Sequence, residues 1–148
     1  FPVTDRPEHT YIAGASMGGY GALVHAMKDT EQYRAVGAFS PATVWAKDLE
    51  EKVGHKFPEP MDLYQIIRDD VDAGKKLPDI FFCVGNNDFL IESVDRFEEY
   101  LNELKIDHRF DRVDGYEHEW RFWELELPEF LDWLPRTDSY AKMGKHKM

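Results

Sequence analysis

The chain has 148 residues, of which 43% are hydrophobic, and a formal net charge of −11. An acidic surface repels phosphate backbones, which argues against nucleic-acid binding, and no apolar run approaches the ~20 residues that span a bilayer. The single cysteine, Cys83, excludes an intramolecular disulfide and a multi-cysteine zinc site, and its apolar neighbours predict a buried thiol. We therefore expect a globular protein that does not enter a membrane, by default in the cytoplasm. The oligomeric state stays open.

Four short segments have the composition of buried parallel strands. They are Thr10–Ala15, Ala35–Phe39, Asp79–Val84 and His108–Val113. Small or polar residues that favour turns follow each segment, so the strands are expected to end there.

Helices are predicted between and after these strands. Tyr20–Lys28 is rich in alanine, leucine and methionine, and a helix from about Asp62 to Asp72 is expected inside the long connection Pro41–Leu77. That connection is interpreted as an insertion over the functional site. Two further helices have apolar stripes at three- and four-residue steps. The stripes are Ile91, Val94, Phe97, Leu101 and Leu104, and then Trp120, Trp123, Leu127, Phe130, Leu131 and Leu134.

The alternation of strands and helices predicts an α/β fold, with a parallel sheet covered by helices on both faces. Pro128 should kink or split the last helix, because proline lacks the amide that the helix needs. Residues 1–135 are expected to lie in one domain. The stretch 136–148 carries four Lys/Arg against one Asp and is predicted to be a basic, flexible tail.

A nucleophile elbow is indicated by Gly14-Ala15-Ser16-Met17-Gly18, which fits the pattern GxSxG. The motif lies between a predicted strand and a predicted helix, which is the context that the pattern requires. Side chains at the flanking glycines would collide at so tight a turn, and Gly18, Gly19 and Gly21 are expected to let the helix pack closely. Ser16 is the candidate nucleophile, and the Met17 amide is expected to face a developing oxyanion.

A serine nucleophile needs a general base, and a histidine serves best when a carboxylate orients it. In a parallel sheet such partners lie just beyond strand ends, in the order Ser, Asp/Glu, His. Asp88 and His118 fit both conditions, while Asp95 and Glu92 remain alternatives for the acid. None of the other histidines follows a strand end after Asp88; these are His9, His25, His55, His108 and His146.

The substrate pocket is predicted less sharply. Tyr20, Trp45, Trp120 and Tyr64 could line an acyl site, although aromatic residues more often belong to the core. No metal-ligand spacing such as HExxH occurs, so no metal is expected. A non-catalytic α/β module, with the elbow as a plain turn, is the competing hypothesis.

Three motifs in order give the chain a family resemblance. They are Ile12 to Leu23 at the elbow, Gly85-Asn86-Asn87-Asp88-Phe89-Leu90 at the acid, and Gly115 to Trp120 with Trp123 at the base. In these residues the chain resembles the esterase D-like α/β-hydrolases, which include tributyrin and feruloyl esterases and S-formylglutathione hydrolases. The resemblance reaches to about Leu134. It implies hydrolysis of carboxylic esters or thioesters through an acyl-enzyme and without a cofactor. The candidate aromatic residues favour short-chain or aryl acyl esters, and an acyltransferase or thioesterase with the same triad is the alternative.

The chain departs from that family at its start. Several strands normally precede the elbow, whereas here fewer than ten residues precede the first predicted strand. Residues 1–135 would then be the C-terminal portion of one α/β-hydrolase domain. The loop that gives the second oxyanion donor would lie upstream, and losing one donor costs about 10²–10³ in rate. We expect the native protein to be longer and this chain alone to be poorly active.

Overall fold

The computed structural model describes residues 4–44, 51, 54 and 62–136. In that part of the chain, four strands alternate with four helices after a short 3₁₀ turn at Pro7–His9. The strands are β1 (Tyr11–Ala15), β2 (Ala35–Phe39), β3 (Asp79–Gly85) and β4 (His108–Val113). The helices are α1 (Met17–Lys28), α2 (Leu63–Asp72), α3 (Ile91–Glu103) and α4 (Trp120–Trp133).

The strands form one parallel sheet in the order β1-β2-β3-β4. All four predicted strands are confirmed to within one residue at either end. β2 is buried along its whole length, and β3 is buried except at its first residue. Their uninterrupted apolar sequences reflect this, since a central parallel strand is covered on both faces.

The two faces of the sheet are packed differently. Helices α1, α2 and α3 cover one face, where their apolar side chains meet Val36, Ile80 and Phe82. On the other face α4 supplies Phe122, Phe130 and Leu134, which pack with Phe39, Phe81 and Cys83. Burial raises the pKa of the Cys83 thiol above its ordinary range, and the predicted buried cysteine is confirmed.

The predictions for two helices need correction. α1 begins at Met17 rather than Tyr20, because Gly18 and Gly19, although poor helix formers, follow directly from the turn at Ser16. α4 runs unbroken through Pro128 and is not split there. Pro128 lies on the exposed side of α4, while buried residues before and after it hold the helix to the sheet.

The apolar stripe predicted for α4 is also partly wrong. Phe122, Glu126 and Phe130 are its buried residues, whereas Trp120, Leu127 and Leu131 are exposed. The stripe predicted for α3 is confirmed, since Val94, Phe97 and Leu101 are fully buried.

Three further predictions fall wholly or partly on residues that the structure leaves out. Trp45, most of the connection between β2 and α2, and the tail from residue 137 onward lie outside the described residues. A helix at Leu63–Asp72 is present as predicted, with the Asp62 side chain accepting a hydrogen bond from the Gln65 amide at its start. No helix in the described ranges is both long enough and apolar enough to cross a membrane.

Candidate active site

The carboxyl ends of all four strands carry the candidate site. Ser16 follows β1, Ser40 follows β2, Asp88 lies three residues beyond β3, and His118 lies five residues beyond β4. Because the strands are parallel, these turns share one edge of the sheet, the edge at which ligands bind in open α/β folds.

Ser16 occupies a strained turn between β1 and α1. Its φ is 57° and its ψ is −121°, a conformation that non-glycine residues rarely adopt. The turn is held by the Ser16 amide, which donates to the Phe39 carbonyl at 2.8 Å, and by the Ala42 amide, which donates to the Ser16 carbonyl at 3.1 Å. The strain is therefore supported by the neighbouring end of β2.

Glycine is required at Gly14 for a steric reason. A Cβ there would lie 2.2 Å from the Gly18 carbonyl oxygen, and one at Gly19 would lie 3.1 Å from the Gly14 carbonyl oxygen. The expected crowding is thus present at Gly14 and Gly19. It is absent at Gly18 and Gly21, where no described atom lies within 4 Å of an added Cβ, so that part of the prediction is wrong.

His118 bridges the other two candidate residues. Its Nε2 lies 2.8 Å from Ser16 Oγ, and its Nδ1 lies 2.8 Å from Asp88 Oδ2. An ionised carboxylate can only accept hydrogen bonds, so Nδ1 carries the proton that it donates to Asp88. Nε2 is then left as the acceptor for the Ser16 hydroxyl, as nucleophile activation requires.

Asp88 is held in a single orientation. Its side chain is fully buried, and its second oxygen, Oδ1, accepts from the Leu90 amide at 2.8 Å. Both carboxylate oxygens therefore have partners, which offsets the cost of burying the charge. Of the alternative acids, Asp95 pairs with Arg112 at 3.0 Å, and Glu92 lies exposed in the first turn of α3.

The turns that carry Asp88 and His118 are tied to each other. The backbone amide of Asn86 donates to the Val113 carbonyl at 2.9 Å, and the backbone amide of Asn87 donates to the Tyr116 carbonyl at 3.0 Å. The Asn86 side chain also donates to the Asp114 carboxylate. Gly85 makes this approach possible, since a Cβ there would lie 2.3 Å from the Tyr116 carbonyl oxygen. From the sequence alone, Gly85, Asn86 and Asn87 belonged to a motif but had no predicted role.

The other described histidines lie away from Ser16. His25 is exposed on α1, and His9 lies in the 3₁₀ turn before β1. His108 contacts the Ile106 carbonyl through Nδ1 and Glu98 through Nε2. His55 and His146 are outside the described residues.

The residues predicted for a pocket are not gathered in one place. Tyr20 packs against the core beneath α1, where burial raises the pKa of its hydroxyl. Tyr64 is buried, and its ring contacts Phe97 and Tyr100. Trp120 is 74% exposed, and its ring packs edge-to-face on Trp123 with centroids 4.9 Å apart. Among the predicted pocket residues that the structure describes, Trp120 is thus the candidate for contact with a ligand.

Apolar surface adjoins the Ser16–His118 pair. Phe89 is 78% exposed and its ring centroid lies 4.9 Å from that of His118, while Met17, the first residue of α1, is 79% exposed. As the first helical residue, Met17 has an amide that takes no part in the helix's own hydrogen bonding, which fits the predicted oxyanion role. An open groove of about 240 Å³ extends beside Trp120 and Trp123 along β1.

Comparison with known proteins agrees with this arrangement. The Esterase family model, described as "Putative esterase", matches residues 1–134. The chain belongs to this family. The family predicted from the three motifs is therefore confirmed.

The relatives found are longer proteins, of which this chain spans 54–59%. An acetyl esterase of Caldicellulosiruptor saccharolyticus is 26% identical, over 94% of this chain and 59% of its own length. The S-formylglutathione hydrolase of Staphylococcus aureus superposes with a TM-score of 0.75 and 23% identity, over 90% of this chain and 54% of its own. Fluorophosphonate-binding serine hydrolase F of the same organism, solved with substrate bound, superposes with a TM-score of 0.78 and 21% identity, over 90% and 57%. The chain thus has part of the α/β-hydrolase fold, as predicted.

Proposed function

We propose that the protein hydrolyses small carboxylic esters with short acyl groups, using Ser16 as nucleophile, His118 as general base and Asp88 as the orienting acid. The observation that carries the proposal is the continuous hydrogen-bonded chain from Ser16 Oγ through the imidazole of His118 to the buried Asp88. The strained conformation of Ser16 adds support, since strain of this kind concentrates at functional turns. The acetyl esterase among the relatives favours a short acyl group.

The reaction proceeds in two half-steps. Ser16 Oγ attacks the ester carbonyl carbon as its proton passes to His118 Nε2, and the tetrahedral oxyanion faces the Met17 amide at the positive end of α1. When the carbon–oxygen bond to the alcohol breaks, His118 returns the proton to the leaving oxygen, and the acyl group remains on Ser16. Water then attacks the acyl-enzyme, gives a proton to His118 and releases the acid, and the proton returns to Ser16.

The role of Asp88 follows from its position. By accepting from Nδ1 it holds the imidazole in the tautomer that leaves Nε2 free to accept, and it stabilises the imidazolium formed in each half-step. In serine hydrolases the loss of this carboxylate lowers turnover by about 10⁴ without removing the nucleophile.

Release of p-nitrophenol from p-nitrophenyl acetate tests the proposal. The chain should give an initial burst of one equivalent followed by slower turnover, because this activated aryl ester acylates the serine faster than water removes the acetyl group. Ser16→Ala, His118→Ala and Asp88→Asn should each remove or slow the burst. Ser93→Ala, His25→Ala and Asp95→Asn change the same residue types elsewhere and should leave it intact.

The rate of steady turnover does not decide the proposal, but the residue that is acylated does. Because the chain spans 54–59% of these relatives' lengths, slow steady turnover is compatible with the proposal. A burst that survives Ser16→Ala, or acetyl transfer mapped to another residue, would refute it. Comparing acetyl with longer acyl esters, and adding alcohols as acceptors, separates a short-chain hydrolase from an acyltransferase.

A further inference from the structure

The end of β2 is hydrogen-bonded to Ser16 and is linked to His118 through Trp123. The carbonyl of its last residue, Phe39, accepts a hydrogen bond from the Ser16 amide. The next residue, Ser40, is fully buried and has a φ of 45°, and its amide donates to the Cys83 carbonyl of β3 at 2.8 Å. Ser40 is thus fixed by backbone contacts at the centre of the sheet edge.

The Ser40 side chain reaches the helix that follows His118. Its Oγ accepts a hydrogen bond from the indole Nε1 of Trp123 at 2.9 Å, although the two residues are 83 positions apart in the chain. Serine and tryptophan are joined here in a largely buried setting, where a hydrogen bond restricts the orientation of the indole. The indole plane is thereby set relative to the end of β2.

Trp123 in turn contacts the imidazole of His118. The ring centroids lie 5.2 Å apart and the planes meet at 89°, an edge-to-face arrangement that aromatic rings favour. Phe89 contacts the same imidazole but is highly exposed, so it restrains the ring less than the half-buried Trp123 does. The hydrogen bonds to Ser16 and Asp88 fix the two nitrogens, and Trp123 limits rotation of the ring about the line between them.

We propose that Ser40 and Trp123 are positioning residues, which orient the His118 imidazole toward Ser16 through the Trp123–Ser40 hydrogen bond. The proposal rests on the proposed function, since it assumes that Ser16 and His118 react. It makes the end of β2 a common support: the nucleophile is attached to it through Phe39, and the base through Ser40 and Trp123. Neither residue exchanges a proton with substrate.

Saturation kinetics with a fluorophosphonate probe test the proposal on the full chain. Trp123→Phe keeps an aromatic ring but removes the donor, and Ser40→Ala removes the acceptor. Each should lower the maximal rate of Ser16 labelling by about three- to tenfold, as expected for the loss of one ordinary hydrogen bond. The probe concentration at half-maximal rate should not change, since the probe does not bind these atoms.

Two controls separate positioning from general damage to the fold. Trp133→Phe changes a tryptophan on the same helix that contacts Phe81 and Phe130 instead of His118, and it should leave the labelling rate unchanged. Ser40→Gly also removes the hydroxyl but suits the positive φ, so its rate should match that of Ser40→Ala if the hydroxyl is the cause. The double variant Trp123→Phe/Ser40→Ala should be no slower than the slower single variant.

The outcomes are distinguishable. If Ser16 of the unaltered chain is not labelled, the proposed function fails. If it is labelled and Trp123→Phe and Ser40→Gly react as fast as the unaltered chain, the positioning role is wrong. Equal slowing by Trp133→Phe, or fully additive effects in the double variant, would also overturn it.

Discussion

Helices α3 and α4 pack on opposite faces of the same sheet, yet their apolar residues are used differently. On α3, Val94, Phe97 and Leu101 are fully buried against the sheet. On α4, Trp120, Leu127 and Leu131 are exposed, and the buried position Glu126 is a carboxyl group. Apolar periodicity therefore gave the buried face of α3 correctly but misplaced that of α4. An apolar stripe in the sequence therefore shows which surface of a helix is apolar, but it does not show which neighbouring element covers that surface.

The largest expected effect is on the α3 side. Phe97→Ala should lower the free energy of unfolding by about 3–5 kcal/mol, because it removes a fully buried ring that contacts Tyr64 and Phe82. Urea denaturation followed by circular dichroism would measure it. Phe89→Ala is the matched control at an exposed phenylalanine and should cost far less. Similar losses for both would break the contrast between buried and exposed positions.

A second substitution tests how closely α4 packs. A Cβ at Gly37 of β2 would lie 2.5–2.8 Å from three atoms of the Phe130 ring. Gly37→Ala should therefore cost about 1–3 kcal/mol by overpacking. Gly21→Ala, on the open side of α1, should be neutral or stabilising in the same denaturation experiment. A neutral Gly37→Ala would mean that α4 is loosely seated.

The buried carboxyl of α4 should make stability depend on pH. Burial, together with the nearby Asp111 and Glu129 carboxylates and opposed by Arg109, raises the pKa of Glu126 from 4.5 to about 7. The folded state thus keeps a proton that the unfolded chain has lost, so stability should fall as pH rises from about 4.5 to about 7. Below this window Glu126 has no effect, and above it the penalty is constant. The slope from one proton is at most about 1.4 kcal/mol per pH unit.

Glu126→Gln should remove this contribution. The variant's free energy of unfolding, measured by urea titration at several pH values, should vary less across that window and exceed that of the unaltered chain near pH 8. Glu124→Gln, an exposed change on the same helix, is the control. An unchanged pH profile in Glu126→Gln would show that this carboxyl is not the titrating group.

The smallest effect is expected on the exposed side of α4. Leu127→Ser should change the free energy of unfolding by about 0.5 kcal/mol or less, since the side chain is already 46% exposed. The same urea titrations would measure it. A loss as large as that of Phe97→Ala would mean that Leu127 is covered in solution, and the comparison between the two helices would need revision.

The sequence predicted the sheet well, because buried parallel strands are continuous apolar runs and their ends are marked by turn residues. It also brought forward Ser16, Asp88 and His118, which the structure places within hydrogen-bonding distance; their catalytic roles remain predictions. The start of α1 was missed because glycines disfavour a helix by their own propensity. In the structure, the turn at the elbow directs the chain into a helix at these residues. The continuity of α4 was missed because tertiary packing outweighs Pro128.

Contacts between turns that are distant in the chain could not be predicted from the sequence. The Ser40–Trp123 hydrogen bond joins residues 83 positions apart, and the Asn86–Asp114 pair joins two separate turns. Neither has a local pattern, since each depends on the register of β2, β3 and β4. From the sequence, Trp123 was placed in a motif and in an apolar stripe, and Ser40 was only one of the polar residues that follow a predicted strand.

Mapping of a fluorophosphonate adduct by mass spectrometry would test whether Ser16 is the nucleophile and whether His118 activates it. We expect one adduct, on Ser16, that is absent in Ser16→Ala, strongly reduced in His118→Ala, and retained in His25→Ala. An adduct on another residue, or labelling of Ser16 that is indifferent to His118→Ala, would contradict the assembled Ser16–His118–Asp88 site.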